Sequence, residues 1–219
     1  MSAIVFDLDG TLWDTCEACA IGWNTVASRL GIDRRVTEDD VRRVAGRSHE
    51  DCIRSVYQGL PEETIAALAY ETQIEDNRIV GERGGRLYPG VAETIPALAA
   101  HHDLYIVSNC QDGYIETFLA LTGFGPYFRD FECWGRTRDP KFVNVQRILE
   151  RNDLQGAVFV GDTEGDAEAA AQAGLPFLWA SWGFGQPNSR AWTLRSIEEL
   201  LRWSRQDLFQ SPEIIAQVS

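Results

Sequence analysis

Four short stretches, far apart in the chain, hold residue types that suit one kind of chemistry. Asp7 and Asp9 stand two apart in Asp7-Leu8-Asp9-Gly10-Thr11. The other three are Ser108-Asn109, Lys141, and Gly161-Asp162 with Asp166 four residues later. Carboxylates gathered at one point repel one another, and their pKa values rise unless a cation lies between them. A hard divalent ion with oxygen ligands resolves the repulsion, and Mg²⁺ suits a site of few carboxylates, waters and a substrate phosphate. Gly10 permits a sharp turn, so Asp7 can face a ligand while Asp9 swings alongside.

Lys141 is the only lysine, and arginine supplies every other basic side chain. A compact ammonium makes a point contact with a phosphate or carboxylate that a planar guanidinium does not reproduce. The residue is therefore expected beside the carboxylates, with a plain surface charge as the alternative. Asp162 and Asp166 also stand near a helix start, where acids favour the dipole. For Ser108 the alternative is a helix N-cap.

These residues meet only if the elements before them end at one place. Residues 3–7 form a short apolar run that breaks at a Gly-Thr turn, the pattern of a buried parallel strand. Helical patterns then cover 15–30, 37–45, 48–58 and 61–80, with almost no strand signal over 14–86. Thr37 with Asp40 resembles a capping box, and Pro61 with Glu62 and Glu63 suits a first helical turn. Beyond Tyr88-Pro89-Gly90 the rhythm alternates: helix 91–101, strand 103–107, helix 112–122, strand 130–134, helix 141–151, strand 157–161, helix 164–173, strand 176–180 and a helix over 196–204. This order predicts an α/β fold, a doubly wound parallel sheet with an inserted α-helical domain. The expected boundaries are a discontinuous core of 1–13 and 87–205, a helical insertion of 14–86, and a tail of 206–219 with no readable role. Ligands bind such sheets beyond the carboxyl ends of the strands. Asp7, Ser108, Asn109 and Asp162 fall there, and Lys141 is expected in the loop after the third strand.

The 219 residues suit one ordinary domain, or a core with a small insertion. Hydrophobic residues at 44% and charged residues at 24% argue against disorder. A net charge of −13 argues against nonspecific nucleic-acid binding and against an anionic membrane surface. No apolar stretch reaches the ~18–20 residues that span a bilayer. The amino-terminal run is broken by Asp7 and Asp9 and has no basic region before it, unlike a secretory signal. Five scattered cysteines then predict reduced thiols and a cytoplasmic location. Cys16 and Cys19 form a CxxC without a second pair, and are expected as buried small side chains rather than a metal or redox site. His101-His102 reads as a solvated turn, and the tryptophans read as packing groups.

Together, DLDGTL at 7–12, Ser108-Asn109, Lys141 and GDTEGD at 161–166 resemble the four signature motifs of the haloacid dehalogenase superfamily in order and approximate spacing. The helical insertion is similar to the small cap of its phosphoglycolate-phosphatase-like branch, as is Trp182-Gly183-Phe184-Gly185. One departure is that Pro140 precedes the motif lysine, where many members have proline after it.

The resemblance implies an Mg²⁺-dependent phosphatase that hydrolyses a small phosphorylated metabolite through an aspartyl phosphate on Asp7. Asp9 would be the general acid and then the base. Thr11, Ser108, Asn109 and Lys141 would hold the phosphate and its loop. Asp7, the Asp9 carbonyl and Asp162 would hold the ion, with Asp166 behind them or acting through water. Arg47 and His49, in the polar loop Gly46-Arg47-Ser48-His49, would read the leaving group, or else form an exposed helix cap. A phosphomutase of the same superfamily is the alternative, and a noncatalytic binding protein a more distant one. Phosphonate hydrolysis needs a Schiff-base lysine in the cap, and residues 14–86 contain no lysine.

Overall fold

The computed structural model describes residues 3–188 and 191–202. The expected tail 206–219 and the end of the 196–204 helix lie outside the described residues. The chain starts with β1 (Ala3–Phe6), whose four residues are all buried. A turn leads to a two-residue strand, β2 (Trp13–Asp14), and then to four helices: α1 (Cys16–Arg29), α2 (Glu38–Arg42), α3 (His49–Val56) and α4 (Glu62–Arg83). β3 (Arg86–Leu87) brings the chain back. Alternation follows: α5 (Val91–Ala99), β4 (Asp103–Ser108), α6 (Tyr114–Thr122), β5 (Phe128–Cys133), α7 (Trp134–Thr137), α8 (Lys141–Arg151), β6 (Ala157–Gly161), α9 (Glu164–Gln172), β7 (Phe177–Ala180) and β8 (Trp192–Leu194). A short 3₁₀ segment, Ile197–Arg202, stands where an α-helix was expected.

Six strands form one parallel sheet in the order β5-β4-β1-β6-β7-β8. β1 sits at its centre, which explains the unbroken apolar run: both faces are covered and both edges paired. The alternation of strand side chains divides the core. Ile4, Phe6, Ile106 and Val160 pack on one face, with α5, α6 and the helical block. Ala3, Val5, Val107 and Phe159 pack on the other, against Val145 and Ile148 of α8 and Ala170 of α9.

Register then aligns the strand ends. Phe6 pairs with Ile106 on one side and with Val160 on the other. The residues that follow therefore leave the sheet along one rim. Asp7 N–H still donates to Val160 O at 2.8 Å, so Asp7 emerges from the sheet beside the end of β6.

The helical block is stapled at its neck. Trp13 pairs with Leu87 and Asp14 with Arg86, antiparallel. The Asp14 carboxylate accepts from Cys16 N–H at 2.9 Å, from Arg42 at 3.1 Å and from Arg86 at 3.2 Å. Inside the block, α1 lies along the 22-residue α4. The expected capping box of Thr37 and Asp40 is present at the start of α2. Two expectations need correction. Lys141 is not in a loop: it is the first residue of α8, after Pro140 in an extended N-cap conformation. His102 is buried rather than solvated, and its backbone N–H donates to Leu98 O at 2.8 Å in the turn that precedes β4.

Candidate active site

The turn after β1 is built around one carbonyl. Leu8 O accepts from Thr11, Leu12 and Trp13 N–H at 3.2, 2.8 and 3.3 Å. Gly10 adopts φ +88°, a conformation that a side chain resists. A Cβ there would also run into the Asp162 carboxylate. This turn sends Asp7 and Asp9 in different directions. Asp7 enters a buried ionic cluster, while the half-buried Asp9 accepts from Tyr114 OH at 2.9 Å and from Thr15 Oγ1 at 3.1 Å.

Lys141 is the centre of the cluster. Its Nζ lies 2.8 Å from Asp7 Oδ1 and 2.5 Å from Asp166 Oδ1, and all three side chains are buried. Oxygens of Asp7, Asp162 and Asp166 lie within 4.8 Å of one another. Asp166 serves both readings made of it. Oδ1 binds Lys141, while Oδ2 accepts from the N–H groups of Asp162 and Thr163 at 3.2 and 2.9 Å and from Thr163 Oγ1 at 2.6 Å, completing a capping box on α9. Asp162 is held from the opposite side. Phe184 N–H donates to Oδ2 at 2.7 Å and Thr11 Oγ1 to Oδ1 at 3.3 Å. Gly183 makes that approach possible, since a Cβ there would collide with Asp162 and with the Gly10 carbonyl. Trp179 donates its indole N–H to Asp162 O at 3.2 Å, and Trp182 to Thr11 O at 3.0 Å.

Charge governs the chemistry available here. Burial pushes Asp7 up to about 7, and the Asp166 charge adds to it against the pull of Lys141. Burial also raises Asp9, to about 6, although the Tyr114 and Thr15 hydroxyls hold it down. Asp162 rises through burial and through the charges of Asp166 and Asp7. Burial opposes the charge on Lys141, but Asp166 and Asp7 together lift its pKa well above the usual lysine value. When all three are ionised, three carboxylates against one ammonium leave an excess of two negative charges among these four side chains, and burial together with that excess raises Asp7 and Asp162. An all-oxygen donor set with that deficit fits a hard divalent cation such as Mg²⁺. The oxygens of Asp166 are already committed to Lys141, Thr163 and Asp162 N–H. Asp162 accepts one donor on each oxygen and Asp7 is tied to Lys141 through Oδ1, against four such contacts on Asp166, so Asp7 and Asp162 keep more lone pairs for an ion.

One cleft touches Asp7, Asp9, Ser108, Asn109 and Lys141 from the sheet side, and Arg47 and His49 from the helical block. Ser108 Oγ accepts from Cys110 N–H at 3.3 Å, which turns the strand end over the cleft. Asn109 Nδ2 donates to Gly46 O at 2.9 Å, so its side chain ties the two parts of the molecule together. Thr11, expected near a phosphate, is fully buried behind the cleft and serves Asp162. Arg47 and His49 separate. Arg47 is exposed and donates to Ser55 Oγ at 2.7 Å, whereas His49 is buried. The residues missed from sequence are Thr15 and Tyr114 beside Asp9, and Trp23 and Asp76 on the far wall. Their spacing resembles ordinary core positions, so no pattern marked them. The five cysteines are all buried free thiols, and burial raises Cys16 and Cys19 well above the usual range, as expected of packing groups.

Comparison with known proteins agrees with this geometry. The model of the family described as haloacid dehalogenase-like hydrolase matches residues 4–180. A phosphoglycolate phosphatase of Agrobacterium fabrum is 30% identical over 190 residues, covering 82% of this chain and 80% of that protein. A phosphoglycolate phosphatase of Synechococcus elongatus is 30% identical over 212 residues, covering 92% and 96%. Among solved structures, a predicted phosphoglycolate phosphatase from Haemophilus somnus superposes with a TM-score of 0.76 at 22% identity, covering 92% of this chain and 97% of that one. The chain belongs to the haloacid dehalogenase-like hydrolase family and is an enzyme of that family.

Proposed function

We propose that this enzyme is an Mg²⁺-dependent phosphatase that hydrolyses a small phosphomonoester through an aspartyl phosphate on Asp7. The observation that carries the reading is the buried Lys141 ammonium between Asp7 and Asp166, with Asp162 beside them. In this reading residues 1–13 and 87–205 form the catalytic core and 14–86 a helical cap over it, and the enzyme works on small metabolites in the cytoplasm.

Asp7 attacks phosphorus, and the bond from phosphorus to the alcohol oxygen breaks. Asp9, raised toward 6, gives that oxygen its proton. In the second step Asp9 takes a proton from water, the water oxygen attacks phosphorus, and inorganic phosphate leaves with Asp7 restored. Tyr114 and Thr15 hold Asp9 in place through both steps. Lys141 steadies Asp7 and offsets charge on the transferred group, with Ser108 and the Asn109 backbone at its other side. Mg²⁺, held by Asp7, the Asp9 carbonyl and Asp162, with Asp166 behind them, would supply the remaining positive charge for the phosphoryl oxygens. The cap excludes water and large substrates.

The test is hydrolysis of p-nitrophenyl phosphate or acetyl phosphate at pH 7. Activity should need Mg²⁺ and vanish in Asp7→Asn, and beryllium fluoride should be trapped on Asp7. Turnover that survives metal removal, or that survives the Asp7 substitution, contradicts the mechanism.

A further inference from the structure

Asp9 is gripped by one oxygen only. Its Oδ1 accepts from Tyr114 OH at 2.9 Å and from Thr15 Oγ1 at 3.1 Å, and those two hydroxyl oxygens lie 2.6 Å apart. No hydrogen bond among the described residues ends on Oδ2. The buried side-chain atoms left without a partner among the described residues are Trp13 Nε1, Asp76 Oδ1 and Thr94 Oγ1. Asp9 Oδ2 is not one of them, so it is open, and it opens on the cleft that Asp9 lines.

The phenol is the rigid half of the grip. Tyr114 is the first residue of α6 and is buried, and its ring meets Trp13 edge-on with centroids 5.5 Å apart. Its hydroxyl therefore stands at the end of a ring fixed in the core, and it reaches Asp9 across 105 positions of sequence. Phenylalanine would fill the same space, so the hydroxyl is what the site gains from tyrosine. That hydroxyl meets Asp9 and the Thr15 hydroxyl, which itself holds Asp9. Thr15 grips from the other side, at the N-cap of α1. A protonated carboxyl carries its hydrogen on one oxygen and accepts with the other. With both donors aimed at Oδ1, the hydrogen of the acid belongs on Oδ2, facing the cleft.

We propose that Tyr114 is a positioning residue for proton transfer: by holding Asp9 Oδ1 it makes Oδ2 the oxygen that hands a proton to the leaving alcohol and later takes one from water. The proposal rests on the phosphatase reading above, and it says which substrates depend on Tyr114. An alkoxide needs its proton as the bond to phosphorus breaks, whereas p-nitrophenolate leaves as a stable anion.

The experiment measures kcat/KM with the full chain and Mg²⁺ on ethyl phosphate, phosphoglycolate and p-nitrophenyl phosphate. This constant stops at release of the alcohol, so hydrolysis of the aspartyl phosphate, common to all three, does not enter it. Tyr114→Phe should lower kcat/KM on the two alkyl phosphates at least about tenfold more than on p-nitrophenyl phosphate, a part of the roughly 10²–10⁴-fold that a positioned acid supplies. Thr15→Val should move the same ratio in the same direction, and Thr15→Ser, which keeps a hydroxyl, should move it less. If Tyr114→Phe fails to fold, the Thr15 pair decides by that ratio. An equal loss on all three substrates, a ratio that stays still or a ratio that rises overturns the assignment while leaving the phosphatase intact. So does wild-type turnover confined to p-nitrophenyl phosphate, since no proton then reaches an alkoxide. Absence of Mg²⁺-dependent turnover on all three instead removes the phosphatase reading, and this assignment with it.

Discussion

Lys141 shows why side-chain type matters at a single position. Its ammonium fills the gap between two carboxylate oxygens 2.8 and 2.5 Å away, deep in the protein. A guanidinium is wider and planar, and cannot occupy that point without displacing Asp7 or Asp166. Lys141→Arg should therefore lower kcat/KM at least about tenfold, equivalent to about 1.4 kcal/mol of transition-state stabilisation. Steady-state kinetics on p-nitrophenyl phosphate check this, and unchanged kinetics would remove the lysine from the reaction. This residue was legible in sequence because it is the sole exception in an arginine-using chain. Asp7, Asp9 and Asp162 were legible because short polar segments interrupt apolar strands. Tyr114 and Asp76 were not. Each sits on a helix whose other residues follow ordinary patterns, and only the fold brings them to the cleft.

Helix α9 is an element with two duties. Its capping box orders the first turn, and the same Asp166 side chain reaches Lys141. Removing the Thr163 hydroxyl should weaken both. Thr163→Ala is expected to destabilise the fold by about 1 kcal/mol, as for other lost N-caps, measured by urea denaturation. It should also lower kcat, because Asp166 loses a donor to the oxygen opposite the lysine. A stability loss with unchanged kcat would separate the cap from the site. The longer elements were readable from their periodicity, and β6 and α8 lie where the pattern put them. β2, β3 and β8 were not foreseen. Strands of two or three residues have no period to detect, and they exist because partners elsewhere in the chain complete them. The loop expected around Lys141 became the start of a helix because Pro140 is preset for the residue before one.

Across the whole molecule, the acid cluster sets the response to pH and to metal. Asp7 and Asp9 have folded-state values of about 7 and about 6, above the ordinary 3.8. A value raised by folding contributes stability that is complete below the unfolded value and is lost as pH rises through the folded one. In the presence of a chelator, thermal stability should therefore fall between pH 5 and pH 8. Added Mg²⁺ should restore it at the higher pH, because an ion that binds only the folded state stabilises by mass action. Calorimetry with and without the ion tests this. A melting temperature that rises across that window without metal, or that ignores Mg²⁺ at pH 8, would contradict the charge deficit drawn here.

The alignment of β1 with both β4 and β6 has a temporal consequence as well. Lys141 and Asp7 are separated by 134 positions along the polymer, and their meeting needs the central strands paired on both sides. Closing such long loops is slow and comes before any reward from the contact. Fragments ending before residue 141 should be inert however well they collapse, and catalysis during renaturation should recover no earlier than the last of these strands docks.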